Sequence, residues 1–134
     1  MILLDTNVCV GILRGDRNVL SAYAKNAGNV AMSAMTVGEL FFGAEKSQNR
    51  ERNLGLVEQF VAAMPIVQTD NDIMRRFGRE KARLQSAGTP VEDADILIAA
   101  TALTLSSPLA TGNTRHFVRF PDLELSNWFA GATP

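Results

Sequence analysis

With 134 residues, 46% of them hydrophobic, the chain has enough apolar surface for one packed core, and a single domain spanning 1–134 is expected. A formal net charge of −1 excludes a protein that coats nucleic acid through a uniformly basic surface, so any such contact has to be local. No apolar run approaches the ~18 positions of a membrane span and no secretory leader pattern opens the chain, so a soluble cytoplasmic protein without membrane contact is expected. The single cysteine, Cys9, has no internal partner and reads as a small buried hydrophobe among Val8, Val10 and Ile12.

Short apolar runs at Ile2-Leu3-Leu4, Val30-Ala31-Met32, Pro65-Ile66-Val67, Pro108-Leu109-Ala110 and, more weakly, Leu123-Glu124-Leu125 read as buried strands. Between them the spacing predicts helices over 7–14, 17–27, 35–46, 50–63, 70–87 and 93–106, punctuated by Gly28, Gly88 and Pro90. Strands alternating with helices imply right-handed parallel crossovers. The expected fold class is therefore α/β, a three-layer α/β/α sandwich around a mostly parallel sheet. Ligands of such sheets bind beyond the carboxyl ends of the strands. Asp5 and Thr111 directly follow the first and fourth strands and share that rim, and Ser33 follows the second.

Asp5-Thr6-Asn7 places a carboxylate at a strand end beside two residues able to cap the next helix. Standing alone, Asp5 reads as a helix cap as readily as a metal ligand. Glu39 lies in the apolar segment Met35-Thr36-Val37-Gly38-Glu39-Leu40-Phe41-Phe42. There it is either a surface residue or a buried carboxylate that needs a cation or an arginine. Asp95 opens the run Ile96–Ala102 with Ile98, Ala99 and Ala102 on its own side. Small residues let that helix approach the sheet, and its first turn stabilises an anion. Asp93 reads as an N-cap or a solvent-facing acid, and Thr89 with Glu92 can form a capping box around Pro90.

Three acids from three strand–helix junctions suit a hard divalent cation, which prefers oxygen ligands and can activate water at a phosphoryl group. With Cys9 and His116 the only residues of their kinds, a zinc hydrolase or a Cys/His nucleophile is disfavoured. Arg75, Arg76, Arg79 and Arg83 fall within a sector of about 100° of one helix, opposite Ile73, Phe77 and Leu84. The strip suits phosphate contacts, or else a solvated face paired with acids such as Glu80. Arg115, His116 and Arg119 form a second basic group flanking the Thr111 rim.

These residues in order, Met1–Asn7, Ser33–Leu40 followed by Gly43–Ser47, Gly88-Thr89-Pro90 leading to Asp95–Ala100, Thr111-Gly112-Asn113 and Asn127-Trp128, resemble the PIN-domain nucleases, specifically the VapC toxins of bacterial type II toxin–antitoxin pairs. The resemblance spans nearly the whole chain. It implies a PIN-like fold and metal-binding, catalytic acids at Asp5, Glu39 and Asp95 holding Mg²⁺, with Mn²⁺ as a substitute. It also implies homodimerisation, inhibition by a small VapB-like antitoxin, and endoribonuclease action on structured RNA, in tRNA or rRNA loops. Thr6, Asn7, Thr111, Asn113, Arg76, Arg79, Arg83, Arg115 and His116 are the expected substrate-contacting or supporting residues. One departure stands out: many relatives carry a fourth acid where this chain has His116, which leaves a second metal open.

Two other readings compete. An aspartyl-phosphate phosphatase or receiver also uses a strand-end Asp, but Asn7 replaces the expected second Asp and no lysine follows the later strand ends at Thr69 or Thr111. A catalytically idle PIN-like binding module would keep the fold without turnover.

Overall fold

The computed structural model describes residues 1–131, so the last three positions of the expected 1–134 domain lie outside the described residues. Five strands, β1 (Ile2–Leu4), β2 (Val30–Ser33), β3 (Ile66–Val67), β4 (Leu109–Ala110) and β5 (Leu125–Ser126), form an entirely parallel sheet in the order β3-β2-β1-β4-β5. The helices are α1 (Thr6–Arg14), α2 (Arg17–Lys25), α3 (Ala34–Glu45), α4 (Arg50–Ala63), α5 (Asn71–Ser86), α6 (Asp93–Thr104) and the short α7 (Thr114–Phe117). Among the described residues no helix is long and apolar enough to cross a membrane.

Alternation along the strands builds the two faces. Leu4, Val30, Met32 and Ala110 point into a core with Val8, Val19, Leu40, Val57 and Trp128, under α1–α4. Leu3, Ala31 and Leu109 point the other way, against Leu84, Ile96, Ala99, Ala102, Phe117 and Phe120 from α5, α6 and the α7 region. Each face is covered by helices, which is why the strands read as continuous apolar runs and why the sheet can be wholly parallel. Cys9 is fully buried in the first core, and burial raises its thiol pKa further out of reach of ionisation.

Three elements differ from the sequence expectation. The fifth strand is displaced toward the C-terminus: Leu123 is a buried core residue rather than a strand residue, and Leu125 pairs with Leu109. Helix α7 has too little sequence to declare itself by periodicity. It exists because Phe117 and Phe120 anchor the turn in the second core.

Helix α5 also differs. Ile73, Phe77, Glu80 and Leu84 recur at helical spacing on one face, so Glu80 belongs to the buried side and is only 6% exposed. Its carboxylate accepts from Arg83 Nη2 at 3.2 Å and lies 3.9 Å from Arg76 Nε. Arg83 also donates to the Arg119 carbonyl and stacks over the Phe120 ring. Arg76 lines a hollow with Ala102, Ser107 and Pro108, at the end of α6 remote from Asp95. The expected arginine strip is therefore largely committed to the fold: Arg76 and Arg83 neutralise a buried acid, Arg75 pairs with Asp72, and Arg79 alone of the four is exposed and outside the ion pairs formed among the described residues.

Removing Arg83 leaves the Glu80 carboxylate short of a charged donor. Arg83→Ala should lower stability by about 1–3 kcal/mol in urea unfolding, and Glu80→Leu in the same background should recover part of that loss. An Arg83→Ala variant as stable as the parent would contradict this assignment.

Candidate active site at the carboxyl rim of the sheet

The register sets Asp5, Ser33 and Thr111 side by side. Leu4 pairs with both Met32 and Ala110, so the next residue of each strand emerges at the same rim. Asp5 is the N-cap of α1 and is 3% exposed. One carboxylate oxygen accepts from the Thr6 backbone N–H at 2.7 Å, and the other accepts from Thr111 Oγ1 at 2.7 Å. The cap reading of Asp5 holds: the bond to the Thr6 N–H fixes the side chain, which is buried at a strand end.

Thr6 faces the other way. Its hydroxyl donates to Glu39 Oε1 at 2.5 Å and lies 3.2 Å from Thr36 Oγ1, which in turn lies 3.3 Å from Ser33 Oγ. Ser33 caps α3 by accepting from the Thr36 N–H at 3.1 Å. This ribbon ties the starts of α1 and α3 together and orients Glu39, which lies one turn after Thr36 on the partly buried side of α3. Thr36 is fully buried and was not among the expected site residues. The Ser33-x-x-Thr36 spacing, a cap and its recipient, was the signal for it.

Asp95 stands in the first turn of α6, with a side chain 19% exposed, while Ala99 and Ala102 below it are fully buried against Leu3 and Leu109. The small residues let the helix sit close to the sheet and bring Asp95 to the rim. Asp93 is the solvent-facing acid of its two sequence readings: it turns outward to Lys81 at 3.0 Å and is 64% exposed. Glu92 occupies the N-cap position without a side-chain cap bond, so no capping box forms with Thr89. His116 Nδ1 lies 3.2 Å from Asp95 Oδ2.

The supporting residues separate into those inside and those at the mouth. Asn7 Oδ1 accepts from the Gly112 N–H at 3.3 Å, and Thr111 Oγ1 accepts from the Asn113 N–H at 2.9 Å. Gly112 has to be glycine: a Cβ there would lie 2.8 Å from the Phe129 ring. Asn113 and Arg115 are exposed, and Arg119 donates to the Pro90 carbonyl, holding the loop before α6.

Burial pushes the Asp5 pKa up to about 6, the bonds from Thr111 and Thr6 oppose the shift, and the negative charges of Asp95 and Glu39 add to it. Three carboxylates therefore lie within one another's field and, among the described residues, no basic side chain pairs with Asp5. Among the described residues, no three Asp, Glu, His or Cys side chains already stand around one point at ligating distances. In chemical type the three donors suit a hard divalent cation, whose charge would offset both the desolvation of Asp5 and the mutual repulsion.

The sign of the pH effect follows. The folded-state pKa of Asp5 lies above its unfolded value of 3.8, so the folded protein holds the extra proton between about 4 and 6. Stability is lost as pH rises through that window, by at most about 3 kcal/mol. In EDTA, Asp5→Asn should flatten that part of the Tm–pH curve and melt higher than the parent at pH 7.5. A parent and variant with parallel curves would contradict the assignment.

A PIN domain model matches residues 2–123. The chain is 36% identical to Ribonuclease VapC2 of Haemophilus influenzae over 94% of its own length and 96% of that protein's. It is 35% identical to the tRNA(fMet)-specific endonuclease VapC of Shigella flexneri, with the same coverage. Its fold superposes with a TM-score of 0.89 on a chain of the DNA-bound VapBC crystal structure from Salmonella typhimurium, at 32% identity over 96% of this chain and 99% of that one. Nucleases of this kind generally depend on a divalent metal. With the parallel sheet and the acid-lined rim, these similarities place the chain in the PIN-domain family, among the VapC ribonucleases.

Proposed function

We propose that this chain, as one PIN-like domain, hydrolyses phosphodiester bonds in RNA as the toxin of a toxin–antitoxin pair, with Asp5, Glu39 and Asp95 as the acids that hold a divalent cation. The observation that carries the reading is Asp5, a carboxylate buried at the end of the central strand, raised in pKa and facing two further acids. A buried carboxylate without a cationic partner is costly, and sites that tolerate the cost are functional-site candidates.

When bound, a divalent cation supplies polarisation of the phosphoryl group and a water activated at neutral pH. The chain's own residues do the rest. Thr111 and the Thr6 N–H keep the Asp5 carboxylate in one orientation, and the Thr6 hydroxyl does the same for Glu39. Asn7 fixes the Gly112 backbone so that Asn113 and Arg115 flank the opening. Arg115 is placed to meet a phosphate of the substrate, a role Arg83 is less free to play. A recessed rim favours looped or single-stranded RNA, whose splayed backbone can reach inward, over a regular duplex. Structured RNA of the translation apparatus supplies such loops, and with it a cytoplasmic setting. Mg²⁺ is the proposed physiological ion, with Mn²⁺ able to replace it.

For the antitoxin of the VapB kind we propose the groove between α1, α3 and α4, lined by Val10, Leu13, Leu40, Leu56 and Val57 together with Glu39 and Arg14. A segment lying there would cover the approach to Glu39. In the apolar segment Leu40-Phe41-Phe42, Leu40 is 4% exposed and serves the core, whereas Phe42 is 64% exposed and available to a partner or to a second copy in a homodimer.

Purified protein with Mg²⁺ should cleave total RNA, and Asp5→Asn and Asp95→Asn should each reduce cleavage by at least about 100-fold, the scale of losing a principal electrostatic group. EDTA should abolish it. Cleavage that survives EDTA, or that the variants share, would overturn the metal-nuclease reading, and an absence of any cleavage by the parent with Mg²⁺ would favour an idle binding module.

A further inference from the structure

The geometry points to His116 as a nitrogen ligand of the rim site, paired with Asp95 on one cation, which would raise the site's affinity for Mn²⁺ relative to Mg²⁺ above that of an all-carboxylate rim. The inference rests on the proposal that Asp5, Glu39 and Asp95 hold a divalent ion, and extends it to a residue that departs from the family's acidic pattern.

Distance comes first. His116 Nδ1 lies 3.2 Å from Asp95 Oδ2. Two ligands on adjacent corners of an octahedron with bonds near 2.1 Å are about 3 Å apart. The same separation therefore serves a hydrogen bond or two donors of one ion, and no backbone movement is needed to pass from one to the other.

Position comes second. The Phe117 side chain is fully buried in the second core, and the His116 N–H donates to the Asn113 carbonyl at 3.0 Å. The buried neighbour and this hydrogen bond hold the His116 backbone at the rim, while its imidazole is 56% exposed. The other basic residues nearby are otherwise arranged: Arg119 donates to the Pro90 carbonyl and Arg115 is exposed to solvent. Among the described residues His116 is thus the side chain that reaches Asp95 with a donor atom able to carry a lone pair.

Chemistry supplies the selectivity. Mg²⁺ demands oxygen ligands and gives up its waters reluctantly, whereas imidazole nitrogen suits first-row transition ions. Mn²⁺ accepts carboxylate and imidazole together. An all-carboxylate site offers Mn²⁺ little advantage, so His116 in place of an acid shifts the balance.

The test uses the untagged protein and Mn²⁺ itself. His116 is the only histidine in the chain, so any imidazole ¹⁴N modulation in the electron spin echo of bound Mn²⁺ must come from it. The expected result is such modulation in the parent and its loss in His116→Asp, with Mn²⁺ still bound. In competition titrations His116→Asp should narrow the Mn²⁺-over-Mg²⁺ preference by about tenfold, the lower end of what a supporting partner contributes to metal affinity. Mn²⁺ that binds, is lost in Asp95→Asn and shows no imidazole modulation would overturn the role of His116 while leaving the acid site standing. Failure of the parent to bind Mn²⁺ at all would overturn the acid site, and this inference with it.

Discussion

Asp5 leaves the central strand of a parallel sheet with 3% of its surface exposed, and a carboxylate removed from water in that way has to be answered by donors or by a cation. Its two protein donors, the Thr6 N–H and the Thr111 hydroxyl, come from the residues that follow β1 and β4 at the same level of the sheet. They do not cancel the desolvation, since the pKa remains raised to about 6. The rest of the rim is arranged around that residual cost. Thr6 turns its hydroxyl toward Glu39, Ser33 and Thr36 brace the start of α3, and α6 brings Asp95 close through its alanines. Stability has been given up locally to keep three acids within one another's field, which is the usual relation between a reactive site and the fold that carries it.

The layers explain how this is tolerated. Both faces of the sheet are sealed by apolar clusters, one running from Leu4 and Met32 to Trp128 and the other from Leu3 and Leu109 to Phe117 and Phe120. Asp5 sits where the two meet at the strand ends, so its backbone is held from both sides. Glu80 shows the contrasting treatment of a buried acid. It is flanked by Arg76 and Arg83 and is structural, while Asp5 has no such partner. The two buried carboxylates thus differ in how their burial is answered, Glu80 by two arginines and Asp5 by neutral donors alone among the described residues.

Much of this was readable from the residues. Strand–helix alternation led to a parallel sandwich, and Asp5 and Thr111 directly after apolar runs led to a shared rim. The alanine run after Asp95 led to close packing. What escaped was tertiary in origin. Helix α7 has four residues and is fixed by the burial of Phe117, which no local period reveals. The displacement of β5 arose because Leu123 fills the core before the chain becomes a strand. The arginines of α5 share a sector in any helical projection, but their commitment to Glu80 depends on that acid lying at the spacing of Ile73, Phe77 and Leu84. A charged residue there was read as surface. Thr36 lay within a segment whose apolar neighbours drew attention away from its hydroxyl.

The central claim is that the acids of the rim share a divalent cation. Crystals grown with Mn²⁺ and measured at its absorption edge address it most directly. An anomalous peak is expected in contact with the Asp5 and Asp95 carboxylates and near Glu39. Well-ordered crystals at saturating Mn²⁺ whose peaks all lie away from these three side chains would contradict it.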